Sequence, residues 1–187
     1  MRARLMDATV DLLVERGFSG TSTTLVSQRA GVSRGAQLHH FPTKNDLVVA
    51  AVEHVTEVRG AELAAAADRG LPRGQRRTRA VLELLAEHFT SPVFTAALEL
   101  WVAARTDEAL RAAVVPLERR VGRQTHRMTV ELLGADESRP GVRELVQATL
   151  DLVRGLGLAD TITDDTRRRK RILDRWATTL DAALEPA

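Results

Sequence analysis

Apolar residues recur at spacings of three, four and seven along nearly the whole chain, and alternating strand patterns are absent. That periodicity predicts amphipathic helices. A first helix is expected from about Arg2 to Arg16, with Leu5, Ala8, Thr9, Leu12 and Leu13 on one face and Gly17 ending it. Two short helical segments follow, 23–30 and 34–41. They are too short to hold alone, so they must pack on the first. A longer helix begins at Lys44. Thr43 caps it and Asp46 lies three residues on, as in a capping box. Leu47, Val48, Ala51, Val52 and Val55 form its apolar stripe.

The pattern then breaks. The segment 68–79 is rich in Gly, Pro and Arg and reads as a loop, with helix resuming at about 75–89. Val81, Leu82, Leu85 and Phe89 face inward there. Ser91-Pro92 opens the next helix as cap and first-turn proline. Its inward residues are expected to be Phe94, Ala97, Leu98, Trp101 and Val102. Another helix from Asp107 carries Leu110, Val114, Leu117, Val121, Met128 and Leu132, and Pro116 is expected to kink or split it. A turn at 134–140 precedes two final helices, 142–156 and 166–184, joined by a polar linker. No internal repeat is visible, and the expected class is all-α.

Composition narrows the function. Of 187 residues 44% are apolar and 28% charged, enough for a sizeable core and incompatible with a disordered chain. There is no Cys, which excludes a disulfide scaffold, a thiol nucleophile and a Cys-ligated metal. No apolar run reaches about 18 residues, and the first ten residues carry Arg2, Arg4 and Asp7. A soluble cytoplasmic protein is the expectation. The isoelectric point of about 9.8 exaggerates the basic character. Formal net charge is only +2, and with no Tyr and only Lys44 and Lys170 as lysines, little titrates below arginine. The surplus sits in residues 1–47, where six basic groups face four acidic ones. An anionic partner at that end fits it.

Residues 21–47 read TSTTLVSQRAGVSRGAQLHHFPTKNDL. They describe a helix, a tight turn, a second helix and the start of a third. Gly31 stands where a sharp reversal needs positive φ, Val32 plugs the turn and Ser33 caps the next helix. Arg34, Gly35, Leu38 and His39 then share one small, donor-rich face suited to a major groove. GVSRGAQLHHFPTKNDL resembles the helix-turn-helix signature of the tetracycline-repressor (TetR) family of bacterial transcription regulators. The likeness runs from Leu5 to about Val48, through Gly17-Phe18, the Thr-rich cap, Gly31-Val32-Ser33, His40-Phe41 and Lys44.

The resemblance implies that 23–30 is the first helix of the motif, with Ser22, Thr23 and Thr24 placed to hold a phosphate at its N-terminus. It implies that residues 34–40, capped by Ser33, form the recognition helix, with Arg34 contacting base or phosphate. Lys44 matches a lysine that contacts the DNA backbone. Two positions depart from the family pattern. Leu38 stands where a tyrosine is usual, and Gln37 stands where an apolar residue is usual, so Gln37 is either a half-buried polar group or a base reader. His39 is expected to face DNA and His40 to pack against the first helix. Neither has a carboxylate in register for a metal. The run 167–171 reads as solvated or subunit-facing surface, and the arginines at 73, 76, 77 and 79 as a loop and helix face.

The expected architecture is a three-helix helix-turn-helix DNA-binding domain at 1–47 and a helical effector-binding and dimerisation domain at 48–187. The resemblance implies an effector pocket in the second. Phe89, Phe94, Leu98, Trp101, Leu117, Val121 and Met128 are its expected apolar lining, with Glu99, Arg105 and His126 as polar anchors. Such a lining favours a mostly apolar ligand. The helix at 142–156 is apolar on more than one face, and 166–184 carries a narrower stripe. Val146, Leu150, Val153, Leu173, Trp176, Leu180 and Leu184 are therefore expected to build a four-helix homodimer interface. No nucleophile–base–orienter set emerges, so an enzyme is not expected, and no cofactor or metal is called for. The expected function is a repressor released from a double-stranded operator by a small molecule. The alternatives are an activator or protein-controlled regulator of the same fold, or a helical enzyme or scaffold whose 21–47 segment mimics the motif.

Overall fold

The computed structural model describes residues 1–68, 70–72 and 75–184. Every regular element among them is an α-helix. In chain order they are α1 Arg2–Gly20, α2 Thr23–Ala30, α3 Arg34–His40, α4 Lys44–Asp68, α5 Gln75–Phe89, α6 Pro92–Ala104, α7 Glu108–Leu133, α8 Val142–Asp160 and α9 Thr166–Leu184. No helix among the described residues is long and apolar enough to cross a membrane. Arg73, expected on a loop or helix face, lies outside the described residues.

The helices form two compact units. The first comprises Met1–Arg59 and Pro92–Val121, and the second Gly60–Ser91 and Gly122–Ala187. The unit holding the motif is thus larger than residues 1–47, because α1 packs chiefly on α6 as well as on α2. Leu5, Leu12 and Leu13 of α1 meet Val26, Phe41, Leu47, Val48, Leu100 and Leu110 in one buried cluster. Burying such Leu and Val side chains contributes about 1.5–3 kcal/mol each.

In the second unit α5 packs against both α8 and α9. Val81, Leu82 and Leu85 are fully buried there, as are Val146, Val153 and Leu180. At Gly157 the approach of α8 to α5 leaves no room for a side chain, since a Cβ would lie 2.1 Å from the Phe89 carbonyl oxygen. Arg79 ties α5 to α9 through Asp174 at 2.5 Å and bonds Glu83 one turn on at 3.0 Å.

Several local expectations change. Gly17 does break α1, at φ 66° and ψ 178°, but one more helical turn follows to Gly20. Pro116 does not split α7, which runs from Glu108 to Leu133 with the proline inside it. α8 continues to Asp160 instead of ending near residue 156. In α6 the inward residues are Val93, Phe94, Ala96, Leu100 and Ala104, whereas Val102 is 56% exposed. That helix is apolar almost all round, so its period did not select a face.

Candidate functional site

The motif is built from local hydrogen bonds that its sequence dictates. Ser22 caps α2 by accepting the Leu25 N–H at 3.3 Å. Gly31 ends α2 in the left-handed conformation, φ 62° and ψ 41°, which glycine adopts without steric cost. The Val32 N–H returns to the Ser27 carbonyl at 3.0 Å. Ser33 then caps α3 by accepting the Ala36 N–H at 3.2 Å. Before α4 the Thr43 N–H reaches Asp46 at 3.1 Å, and the Asp46 N–H reaches the Thr43 hydroxyl at 3.0 Å. This is the reciprocal box expected from the spacing. Arg29 fixes α2 to α1 through both oxygens of Glu15, at 2.9 and 2.7 Å. That pair holds the Glu15 carboxyl below its ordinary value, chiefly through the hydrogen bond from Arg29. Nothing in the spacing of Glu15 and Arg29 announced it.

Ser33, Arg34, Gly35, Leu38 and His39 are all exposed, so α3 offers the face drawn from the sequence. Leu38, at 44% exposure, puts a large apolar side chain on it. Ser22 and Thr24 are exposed beside the start of α2, and Thr23 is half-buried. Gln37 is fully buried; its Nε2 donates to the Phe41 carbonyl at 2.7 Å, and its Oε1 has no partner among the described residues. Of its two readings, the buried polar group is the one this structure holds. His40 does not pack against the first helix. It is exposed, edge-on to His39 at 5.5 Å, and Phe41 takes the buried place, with the Arg2 guanidinium 5.3 Å from its ring centre. Phe41 is spaced i+7 from Arg34 and i+3 from Leu38, which are exposed, but it stands just past the end of α3 in extended backbone, and there its ring enters the core.

Lys44 is turned inward. Its ammonium donates to the Phe18 carbonyl at 2.6 Å and lies 3.8 Å from the centre of the Phe18 ring. Burial lowers its pKa. On its other side Phe18 donates its N–H to the Glu99 carboxylate of α6 at 2.9 Å. The same carboxylate oxygen lies 2.7 Å from where a Cβ of Gly17 would be, so the break at Gly17 opens the space that Glu99 fills. Glu99, expected as a ligand anchor, thus braces the end of α1. Sequence reading missed this because the partner is a backbone group 81 positions away.

The remaining expected effector residues fall in both units. In the first, Phe94 and Leu117 are buried, Leu98, Trp101 and Val121 are half-buried, and Arg105 is exposed. The Phe94 and Trp101 rings meet edge to face at 6.1 Å. In the second, Phe89 is buried and Met128 half-buried, while His126 lines a cleft between α7 and α8. Of the expected interface residues, Val146, Leu150, Val153, Leu173 and Leu180 are already buried within their own unit. Leu184 is half-buried, and Trp176, also half-buried, donates its indole N–H to Thr149 at 3.0 Å. The face of α8 and α9 left uncovered is instead an apolar groove of about 700 Å³. Ala148, Leu152, Ile172 and Trp176 line it, and Arg168, Arg171 and Arg175 edge it.

Residues 5–51 match the family model described as bacterial regulatory proteins, tetR family. The chain is 33% identical to the HTH-type transcriptional regulator CymR of Pseudomonas putida, over 98% of this chain and 89% of that protein. Its fold is similar to a transcriptional regulator from Rhodococcus sp. Rha1, with a TM-score of 0.78 at 22% identity, covering 100% of this chain and 99% of the other. It is also similar to the regulator FadR of Bacillus subtilis, solved with stearoyl-CoA, with a TM-score of 0.70 at 13% identity over 97% and 98% of the two chains.

Proposed function

The chain belongs to the TetR family of bacterial regulatory proteins, transcription regulators and not enzymes, and from that premise we propose a cytoplasmic homodimeric repressor released from its operator by a small, mostly apolar ligand. The observation that carries the reading is the exposed α3 face of Arg34, Gly35, Leu38 and His39, held between two capped turns. Arg34 is the base reader, and Ser22, Thr23 and Thr24 hold phosphate at the start of α2. Two such heads on a dimer would sit about 34–36 Å apart on a pseudo-palindrome.

The dimer uses the uncovered groove of α8 and α9, not the stripe those helices bury in their own unit. Its apolar lining of Ala148, Leu152, Ile172 and Trp176 supports a self-complementary contact. That FadR of B. subtilis is seen with stearoyl-CoA supports an acyl-sized ligand in this fold. Release is a population shift: a ligand that weakens operator binding hundredfold must prefer the released conformer by about 2.7 kcal/mol. Glu99, Phe18 and Lys44 connect α6 to the start of α4, so a shift of α6 would move the reading head.

Footprinting on the DNA that flanks the protein's own gene tests the reading. Protection of two half-sites, lost with Arg34→Ala, is the expected result. Protection without symmetry, or no protection at all, overturns it. Transcription from the protected promoter rises on deletion of a repressor and falls on deletion of an activator.

A further inference from the structure

We propose that the cleft between the second half of α7 and α8 binds a small organic anion, a carboxylate or similar acid on an apolar body. The proposal rests on the reading of this chain as an effector-controlled regulator and names the chemical class of the effector. The cleft has a volume of about 500 Å³, inside the range of small-molecule sites. Its charge is one-sided. Arg123, Arg127, Arg143 and Arg154 line it, against Glu137 and Asp151.

Both acids are already engaged. The Glu137 carboxylate accepts from His126 at 2.7 Å and from Arg143 at 3.3 Å. Asp151 bonds Arg154 at 3.0 Å. Arg123 and Arg127 have no acidic partner within 4.0 Å among the described residues. They stand one helical turn apart on α7, where like charges destabilise a helix. An acid seated between them reverses that cost and meets two planar guanidinium donors, the geometry carboxylates favour.

The remainder of the wall adds one apolar side chain, Leu150, and one imidazole ring, His126, which an organic ion can contact and inorganic phosphate cannot. Leu150 is 7% exposed, and the His126 side chain is 12% exposed, fixed by Glu137. Leu150 and the His126 ring are the surfaces of the cleft against which the organic body of such an ion would rest. A cationic ligand would meet a surplus of like charge.

The test uses the full-length protein and a matched pair of probes of nearly equal size. One is the aromatic anion 1-anilinonaphthalene-8-sulfonate; the other is neutral N-phenyl-1-naphthylamine. Calorimetric titration of wild type is expected to give at least tenfold tighter binding of the anion. The doubly substituted Arg123→Ala, Arg127→Ala protein should lose at least tenfold of that affinity, and the Arg123→Lys, Arg127→Lys protein should recover part of it. Arg119→Ala, exposed on the same helix outside the cleft, should bind as wild type does. All these side chains are exposed, and circular dichroism checks that each variant is folded. Excess phosphate should compete poorly, and competition equal to that of benzoate would overturn the organic part of the proposal. No binding of the anion, equal binding of both probes, or an alanine variant within twofold of wild type overturns it altogether. The titration contains no DNA, so a failure of operator binding by wild type would sink the regulator reading and leave the probe result standing.

Discussion

The Lys44 ammonium and the Phe18 carbonyl oxygen lie 2.6 Å apart, joining two residues 26 positions distant in the sequence. Phe18 gives its acceptor to α4 and, at 2.9 Å, its N–H to Glu99 of α6. One residue just past the break in α1 thus has both backbone polar groups in use by side chains of two other helices. A backbone group so engaged leaves the segment little freedom to move independently of either helix.

Lys44 should show this in its titration. Burial lowers its pKa from 10.5. Between the folded and unfolded values the unfolded chain binds the extra proton, so stability rises with pH just below 10.5. No Tyr titrates in that window, and the other lysine is Lys170. In a Lys170→Arg background, carbon NMR of the remaining lysine should report a midpoint below the ordinary value, and Lys44→Met should abolish the rise in stability. A midpoint at or above 10.5 would remove the burial argument.

Gly17 and Glu99 should be coupled. At φ 66° and ψ 178° a non-glycine residue is strained, at a cost on the order of 1–3 kcal/mol. Its Cβ would also press on the Glu99 carboxylate at 2.7 Å. Gly17→Ala should therefore lower urea stability by about 1–3 kcal/mol. Adding Glu99→Ala should relieve the steric share and leave the backbone share. Glu99→Gln keeps an acceptor for the Phe18 N–H and should hold operator affinity near wild type, while Glu99→Leu should weaken it. Equal affinities for the Gln and Leu variants would mean that the brace does not position the reading head.

Much of the molecule was legible because its signals are local. Gly31, Ser33 and the Thr43–Asp46 box each act within five residues, and each is where the spacing placed it. Faces were harder. The stripe of Val146, Leu150, Val153 and Leu180 looks the same in sequence whether it is covered by α5 or by another subunit, and here its own unit covers it. The apolar ring of α6 marks no direction, so its period does not tell that Val102 is exposed. Glu99 read as a ligand anchor because a carboxylate on an apolar helix carries no mark of the backbone N–H it will meet.

Arg34 and Lys44 should separate base reading from bracing. Arg34→Ala removes a donor from the exposed α3 face and should cost about 1–3 kcal/mol on the cognate operator, with little loss on unrelated DNA. Lys44→Met should weaken binding to all sequences alike, because it frees the start of α4. Its ammonium is already engaged, so the salt slope of binding should not change. A slope reduced by about 0.9 would instead count one lost phosphate contact and return Lys44 to the DNA backbone.

The subunit contact should lie in the groove and not in the buried stripe. Leu180 is fully buried inside its unit, so Leu180→Ala should cost about 2–5 kcal/mol of folding stability whatever the oligomer does. Ile172 and Leu152 are half-buried on the groove formed by α8 and α9, where Arg168, Arg171 and Arg175 already supply positive charge. A further cation there would be buried against its own kind in a symmetric contact, because each subunit presents the same patch. Ile172→Arg should therefore give folded monomers in sedimentation, with unchanged helical content and weak binding to a two-half-site operator. Single half-site affinity should persist, since the motif lies in the other unit. An Ile172→Arg protein that sediments as a dimer at micromolar concentration would place the contact elsewhere on the second unit.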